Sequence, residues 1–278
     1  LYFMKLVKIL FALSLIFSVF NSCRDRELQA IIDEVILSQQ DTQSEEVLAD
    51  IDLMVDDALS QNAGQLKAGT MGSSAYLTSC AVITLNNKVS PQMLTIDFGT
   101  SCTGNDGKIR SGKIIITSES FNTFPSIRNK TFQNYIVDGK KIEGNVIKTI
   151  GKDQVNNIRT ATSKEDITIT LPDNEGSAHR IADLTRQYLF NSVGVRDDNQ
   201  IKTFGTVEFT RVSGVKVSKT ITAENPLVYS AACHHIISGL VSIITSTGHT
   251  WSIDFGNGEC DNKAILKIGN KSKEITIR

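Results

Sequence analysis

Cysteine is the residue type whose spacing says most about the chemistry of this chain. There are five cysteines in 278 residues, and four of them belong to a repeat. Asp-Phe-Gly at 97–99 is followed by Cys102, and Asp-Phe-Gly at 254–256 is followed by Cys260. Cys80 and Cys233 precede the two copies. This arrangement predicts one hairpin design that is used twice.

The repeat also predicts how these four thiols pair. Four cysteines allow three connectivities, and the repeat favours the one that brackets each copy, Cys80 with Cys102 and Cys233 with Cys260. In the chain-entropy model a disulfide of this span stabilises the fold by about 3 kcal/mol. Such bridges belong to exported proteins. The alternative is four buried, reduced cysteines.

The second copy continues into side chains whose oxygens could bind a cation. These are Asp254, Asn257, Glu259 and Asp261. Carboxylate and amide oxygens are ligands of Ca²⁺, so this stretch is a candidate calcium site. The spacing differs from that of an EF-hand loop, and a plain polar turn is the alternative. No other cofactor is expected.

The two aspartates of the repeat are expected to stabilise turns. Side chains alternate between the faces of a strand, so Leu94, Ile96 and Phe98 share a face, as do Trp251, Ile253 and Phe255. Asp97 and Asp254 then lie on the opposite face. Aspartate is unfavourable in a strand unless its carboxylate is used, and the glycine that follows each one predicts an Asx-type hydrogen bond.

No residue set in the sequence defines a catalytic site. Four glutamates could contribute to a pair of catalytic carboxylates, and none is favoured: Glu143, Glu165, Glu208 and Glu224. A Ser-x-x-Lys motif at 213–216 lacks the companion motifs of penicillin-recognising enzymes. The catalytic residues are therefore unknown, and the chain is expected not to be an enzyme.

The N-terminal residues predict an exported protein. Lys5 and Lys8 precede an uncharged apolar run at 9–20 that is too short to span a bilayer as a helix, which is the form of a signal peptide. We assign residues 1–22 to it. Cys23 then stands where the lipobox of bacterial lipoproteins has its acylated cysteine. Ordinary cleavage, with Cys23 left as a free thiol, is the alternative.

The charge of the chain argues against a nucleic-acid partner. There are 29 basic and 30 acidic residues, and the formal net charge is −1. Loss of Lys5 and Lys8 with the signal peptide raises the acidic excess to three. A nucleic-acid-binding surface needs a basic patch, and the sequence contains none.

Two kinds of segment follow Cys23. Residues 23–61 carry helical periodicity; Val47, Leu48, Ile51, Met54, Val55 and Leu59 form one stripe, and an acidic face lies opposite it with Glu45, Glu46, Asp50, Asp56 and Asp57. This helix is expected to pack on the protein or to space it from the membrane. Residues 62–74 read as a linker.

Residues 75–278 predict a mainly β domain, an antiparallel meander that forms a sandwich or a closed or half-open barrel. Asp138-Gly139 predicts a tight hairpin turn, and 179–190 is expected to be a strand rather than a helix. The other strands are predicted at 80–85, 93–98, 108–117, 131–137, 141–150, 166–171, 205–212, 215–222, 227–232, 235–245, 249–255, 263–268 and 273–277.

Taken together, Cys23, the acidic helical lead and the two extended motifs at 95–114 and 253–264 resemble a family of uncharacterised exported bacterial lipoproteins with a β-rich body. The resemblance implies an envelope location, periplasmic or at the cell surface, and a lipid-mediated membrane contact. It implies no reaction. We expect a non-enzymatic binding or structural module whose protein or glycan partner is unknown. The alternatives are an envelope hydrolase and a carrier of an apolar ligand in a barrel cavity.

Overall fold

A computed structural model describes residues 47–59, 77–153, 158–189, 199–233 and 235–277. All of them belong to a unit that spans residues 44–278. The predicted signal peptide at 1–22, Cys23, the first helical run and the linker at 62–74 lie outside the described residues. Within the described part of the chain, no helix has the length and apolarity that crossing a membrane requires.

The described residues form one α-helix, α1 at 47–59, followed by fifteen strands and a single 3-10 turn at Pro172–Asn174 between two of them. The mainly β class predicted from the sequence is confirmed. The strands are β1 Val82–Asn86, β2 Gln92–Asp97, β3 Cys102–Thr103, β4 Ile109–Ser118, β5 Ser126–Val137, β6 Lys140–Asp153, β7 Ile158–Thr170, β8 Ser177–Leu189, β9 Gln200–Thr210, β10 Lys216–Ile221, β11 Leu227–Ser230, β12 His235–Thr245, β13 Thr250–Asn257, β14 Lys263–Ile268 and β15 Lys271–Thr276.

All fifteen strands belong to one antiparallel sheet in which nearly every strand pairs with its neighbours in the sequence. β1 and β15 form the two edges. Short links force this meander, because a chain that turns within a few residues can only run back beside itself. The turn between β5 and β6 has positive φ at Asp138 (47°) and Gly139 (79°), as the Asp-Gly pair predicted.

The meander departs from a simple path where β10 and β11 share a single position between β9 and β12. Residues 222–226 form an excursion between these two short strands. Gly239 on β12 permits the close approach there, because a Cβ at this residue would lie 2.3 Å from the carbonyl oxygen of Pro226. β2 and β3 share a position beside β4 in the same way.

Two strands are much longer than the sequence predicts. β7 begins at Ile158 instead of 166, and β5 begins at Ser126 instead of 131. The added residues include Arg128, Lys130 and Arg159 on the side where apolar residues are expected. These charges break the apolar alternation on which strand prediction depends. Residues 179–190 are indeed a strand, as expected.

The sheet curls around α1, so we distinguish an inner side, whose alternate residues are buried, from an exposed outer side. Ile51, Met54 and Ala58 of α1 are fully buried, and the helix shares one hydrophobic core with residues from β2 to β11. α1 is therefore part of the β domain, whereas the sequence placed it in a separate N-terminal segment. An open sheet curled around a helix corresponds to the half-open barrel among the predicted architectures.

The four cysteines of the repeat lie in two pairs at disulfide distance. Cys80 and Cys102 have Sγ atoms 2.01 Å apart, and Cys233 and Cys260 have Sγ atoms 2.12 Å apart. The first pair brackets the β1–β2 hairpin and the second brackets the β12–β13 hairpin. The repeated sequence therefore marks repeated structure at opposite ends of the meander.

We predict that replacing Cys233 and Cys260 together with serine lowers the free energy of unfolding by about 3 kcal/mol, because the 27-residue separation sets the loop entropy that the bridge removes. Chemical denaturation of the oxidised proteins measures this loss. Reduction should destabilise the variant less than the wild type, and an unchanged unfolding midpoint in the oxidised variant would contradict the pairing.

Candidate functional site

The acidic residues of α1 are buried against basic residues of the sheet. Asp50, Asp52 and Asp57 are each only 5% exposed. A helix in this position must neutralise its carboxylates, because an unpaired buried charge costs several kcal/mol. Arginine and lysine side chains from the inner side of the sheet supply the opposite charge. Of the acidic face that the sequence opposed to the apolar stripe, Asp50 and Asp57 are thus buried and Asp56 is half-buried, while Glu45 and Glu46 lie outside the described residues.

Asp52 is the centre of this network. It accepts hydrogen bonds from Nζ of Lys130 at 2.6 Å and from Nζ of Lys148 at 2.5 Å. The hydroxyl of Tyr188 donates to it at 3.3 Å, and Nε of Arg186 lies 3.9 Å away. One carboxylate therefore joins α1 to β5, β6 and β8.

Asp50 and Asp56 extend the network towards the two ends of the helix. Asp50 pairs with Lys108 beside β4 and accepts a hydrogen bond from the hydroxyl of Tyr229 on β11 at 2.9 Å. Asp56 pairs with Arg128 on β5 and with Arg159 on β7. Strands far apart in the sequence thus contact the same short helix.

Glu165 on β7 forms a second buried centre. Its carboxylate accepts hydrogen bonds from Arg186 at 2.6 Å, from Arg180 at 3.1 Å and from the hydroxyl of Ser163 at 2.9 Å. Of the four glutamates that the sequence left as catalytic candidates, Glu165 is the one that faces the inner side and is almost fully buried. Its partners are two buried arginines and a buried serine hydroxyl.

The positive charges around Asp52 and Glu165 explain why the pKa values of both carboxyl groups are lowered. Burial alone would raise the pKa of Asp52, but the positive charges of Lys130, Lys148 and Arg186 outweigh it and hold the pKa well below its usual range. Burial also opposes ionisation of Glu165, and Arg186 with Arg180 lower its pKa to about 2. Both carboxylates therefore remain ionised at neutral pH.

The two aspartates of the repeat have identical surroundings. Asp97 accepts a hydrogen bond from the backbone N–H of Gly99 at 2.9 Å and pairs with Lys113 on β4. Asp254 accepts one from the N–H of Gly256 at 3.1 Å and pairs with Lys267 on β14. The lysine contacts, followed by the N–H contacts, lower the pKa of both aspartates. The predicted Asx-type bonds are present.

Two of the residues proposed as calcium ligands are engaged by groups of the chain itself. Asp254 is engaged by Gly256 and Lys267, and Asp261 accepts a hydrogen bond from the backbone N–H of Lys263 at 3.1 Å. Asn257 and Glu259 are exposed. Across the described ranges, no three acidic, histidine or cysteine side chains form a group that could hold a metal ion.

The outer side of the sheet carries two adjoining grooves. The first groove, of about 630 Å³, crosses β6 to β10, and the second, of about 520 Å³, crosses β10 to β14. Ser218 and Thr220 on β10 line both. The side chains that line these grooves combine hydroxyl, amide and carboxylate groups with exposed isoleucines, so this surface offers a ligand both polar and apolar contacts.

The remaining candidate acids and histidines lie mainly on the outer side. Glu208 lines the first groove and pairs with Lys216, and Glu143 pairs with Lys141. Asp166 in the same groove bonds to Nε2 of His179 at 2.7 Å. Glu224 is exposed in the excursion between β10 and β11, and His234 lies outside the described residues.

Sequence reasoning missed the basic residues that surround α1. One signal was present in β8, where Arg180 and Arg186 alternate in phase with Ala182, Leu184 and Tyr188. Strand periodicity puts all five on the apolar face. An arginine in such a register predicts a buried acidic partner, although the sequence does not say where that partner lies.

A comparison of the chain with protein-family models, curated proteins and solved structures found no match.

We predict that Asp52→Asn lowers the free energy of unfolding by about 3–5 kcal/mol, because it leaves Lys130 and Lys148 buried with their shared negative charge removed. Denaturant titration measures the loss. Asp254→Asn is the matched control: its partner Lys267 is exposed, so this change should cost less than about 1 kcal/mol. Equal losses of unfolding free energy in the two variants would show that the buried network around Asp52 stabilises the fold no more than the exposed Asp254–Lys267 pair does.

We further predict a steep loss of stability in acid. The folded-state pKa of Glu165 is about 2 and its ordinary value is 4.5, so the unfolded chain binds more protons between these pH values. The contribution, about 3 kcal/mol, is present above pH 4.5 and disappears as the pH falls towards 2.

Unfolding free energies measured from pH 6 to pH 2 test this acid dependence. Glu165→Gln should reduce the slope of the profile between pH 4.5 and 2, whereas Glu208→Gln on the exposed outer side should leave the slope unchanged. A wild-type profile without a slope in this range would contradict the prediction.

Proposed function

We propose that this protein is a lipid-anchored component of the bacterial cell envelope whose β-rich body is a non-enzymatic binding module. The signal-like N-terminus and Cys23 support the anchor. The two cysteine pairs at disulfide distance support export, because such bridges persist in oxidising compartments.

The division between the two sides of the sheet is the observation that carries the binding role. On the inner side, α1 fills the space between β4 and β8, and its apolar and acidic faces are both engaged. A carrier of an apolar ligand would need that space. On the outer side, two adjoining grooves remain accessible. A partner therefore binds on the outer side of the sheet.

The position of α1 also suits a tethered protein. The described part of the helix starts at Val47, after Cys23 in the chain, and is joined to the sheet by a buried ion pair through Asp52 and by part-buried ion pairs through Asp50 and Asp56. The lipid would thus be connected to the folded body through an element that cannot leave without exposing several buried charges. The outer side of the sheet stays free for a partner.

We predict that Cys23→Ala moves the protein from the membrane fraction to the soluble fraction of cells that export it, because the change removes the only acylation site of the predicted lipobox. Fractionation with immunoblotting, together with metabolic labelling by radioactive palmitate, measures the shift. The Cys233→Ser, Cys260→Ser double variant is the control and should stay labelled and membrane-bound. Membrane retention of Cys23→Ala would overturn the anchor.

A further inference from the structure

A row of hydroxyl groups crosses the outer side of the sheet along both grooves. Thr206 on β9 lies opposite Thr220 on β10, Thr220 opposite Ser242 on β12, and Ser242 opposite Ser252 on β13. We call these four residues the hydroxyl row. Residues directly opposite in antiparallel strands lie on the same face, so the four hydroxyls follow one another across the strands.

The hydroxyl row is available to a ligand. Within the described residues, none of its four side chains takes part in a hydrogen bond with another side chain or with the backbone, in contrast to the buried polar groups on the inner side. Thr206 and Thr220 line the first groove, and Thr220, Ser242 and Ser252 line the second. Each hydroxyl can donate and accept, which matches a ligand that is itself rich in hydroxyl groups.

Exposed apolar surface accompanies the row. Ile147 and Ile181 in the first groove are 45% and 47% exposed, and Ile244 in the second is 50% exposed. Isolated exposed isoleucines need no explanation, but these three lie within the grooves: Ile244 is two residues from Ser242 on β12, Ile181 is on β8 beside β9, and Ile147 is on β6 at the far end of the first groove. Such a surface suits a ligand that alternates hydroxyl groups with C–H faces, as pyranose rings do.

The spacing of the row distinguishes between extended ligands. Neighbouring strands lie about 4.8 Å apart, so the four hydroxyls extend over about 14 Å. A β-1,4-linked polysaccharide advances by close to one strand spacing per sugar ring, and successive rings are turned over, so the same edge of the chain returns at every second hydroxyl of the row. An extended peptide along the same row would place side chains on one face about every 6.6 Å, so they would not stay aligned with hydroxyls that are about 4.8 Å apart.

The charges along the grooves restrict the polysaccharide further. The first groove contains Asp166, Asp183 and Glu208 on its outer face together with Lys164, and the second groove contains Lys267. Glu208 is paired with Lys216, so the positive and negative charges along the two grooves balance, and a polymer that carries carboxylate or sulfate groups gains no net attraction. A neutral chain needs no such attraction, and carboxylates are good acceptors for sugar hydroxyls.

We propose that the two grooves form one binding site for an extended, uncharged β-1,4-linked glycan that lies across the strands from β6 to β14. The proposal rests on the binding role proposed above and names the ligand class. The hydroxyl row supplies hydrogen bonds at successive sugar units, the carboxylates supply acceptors at one end, and the three isoleucines contact the ring faces.

The test is isothermal titration calorimetry with the full chain, purified in a detergent that has no sugar headgroup. The probes are cellotriose, cellohexaose, chitohexaose, an alginate hexamer and a peptide of alternating lysine and isoleucine. We expect cellohexaose or chitohexaose to bind, at least tenfold more tightly than cellotriose, and the alginate hexamer not to bind. Thr220→Val with Ser242→Ala should weaken the hexasaccharide about tenfold through loss of two hydrogen bonds.

The matched control is Thr149→Val with Thr162→Val. These threonines lie opposite each other on the outer side of β6 and β7, are exposed and line neither groove. The control should bind like the wild type, and circular dichroism of both double variants verifies folding. An equal loss in the control, or affinity that does not depend on chain length, would overturn the site.

The outcomes separate this inference from the proposed function. If the peptide binds and no hexasaccharide does, the glycan is wrong and a binding role remains. If no probe binds while Cys23→Ala still releases the protein from membranes, the glycan is wrong and the anchor stands. If a hexasaccharide binds and Cys23→Ala stays in the membrane, the ligand is right and the anchor is wrong.

Discussion

The contact between Asp52 of α1 and the ammonium groups of Lys130 and Lys148 is the constraint on which the rest of the domain depends. Three charges lie almost out of reach of water, and none of them could be buried without the others. Tyr188 and Arg186 complete the surroundings from a third strand. A helix displaced by one turn would carry its carboxylate about 5.4 Å from these partners, so the ion pairs fix where α1 sits.

These ion pairs fix the position of α1 more than they raise the free energy of unfolding. Burying ion pairs roughly balances desolvation against attraction, while breaking one is costly. The apolar stripe of α1 alone could pack on an apolar sheet in several registers. Asp50, Asp52 and Asp56, each with partners on different strands, remove that freedom. We infer that the charged residues determine the position of α1 on the sheet, and that the apolar residues supply most of the stability.

Because α1 occupies the inner side of the sheet, the outer side is the surface that is accessible to other molecules. With the helix in place, the buried side from β2 to β11 is occupied by one hydrophobic core. The outer side carries hydroxyls, carboxylates and a few exposed isoleucines on a sheet in which the β1–β2 and β12–β13 hairpins are each bracketed by a cysteine pair. Rigid strands position such side chains more regularly than loops would, which is what a repetitive ligand requires.

The sequence by itself determined the class of the fold and those local features that depend on residues close together in the chain. The alternation at Leu94, Ile96 and Phe98, the turn at Asp138-Gly139 and the Asx-type bonds of Asp97 and Asp254 are local, and the structure has them all. Repetition also predicted the cysteine pairs, because each pair closes a single hairpin. Only the tertiary structure decided that α1 lies inside the sheet, that Arg128, Lys130 and Arg159 extend strands on its inner side, and that the carboxylate of Asp254 pairs with Lys267. The physical reason is distance along the chain. Asp52 meets Lys148 across 96 residues, and no local periodicity records which carboxylate a buried cation will find.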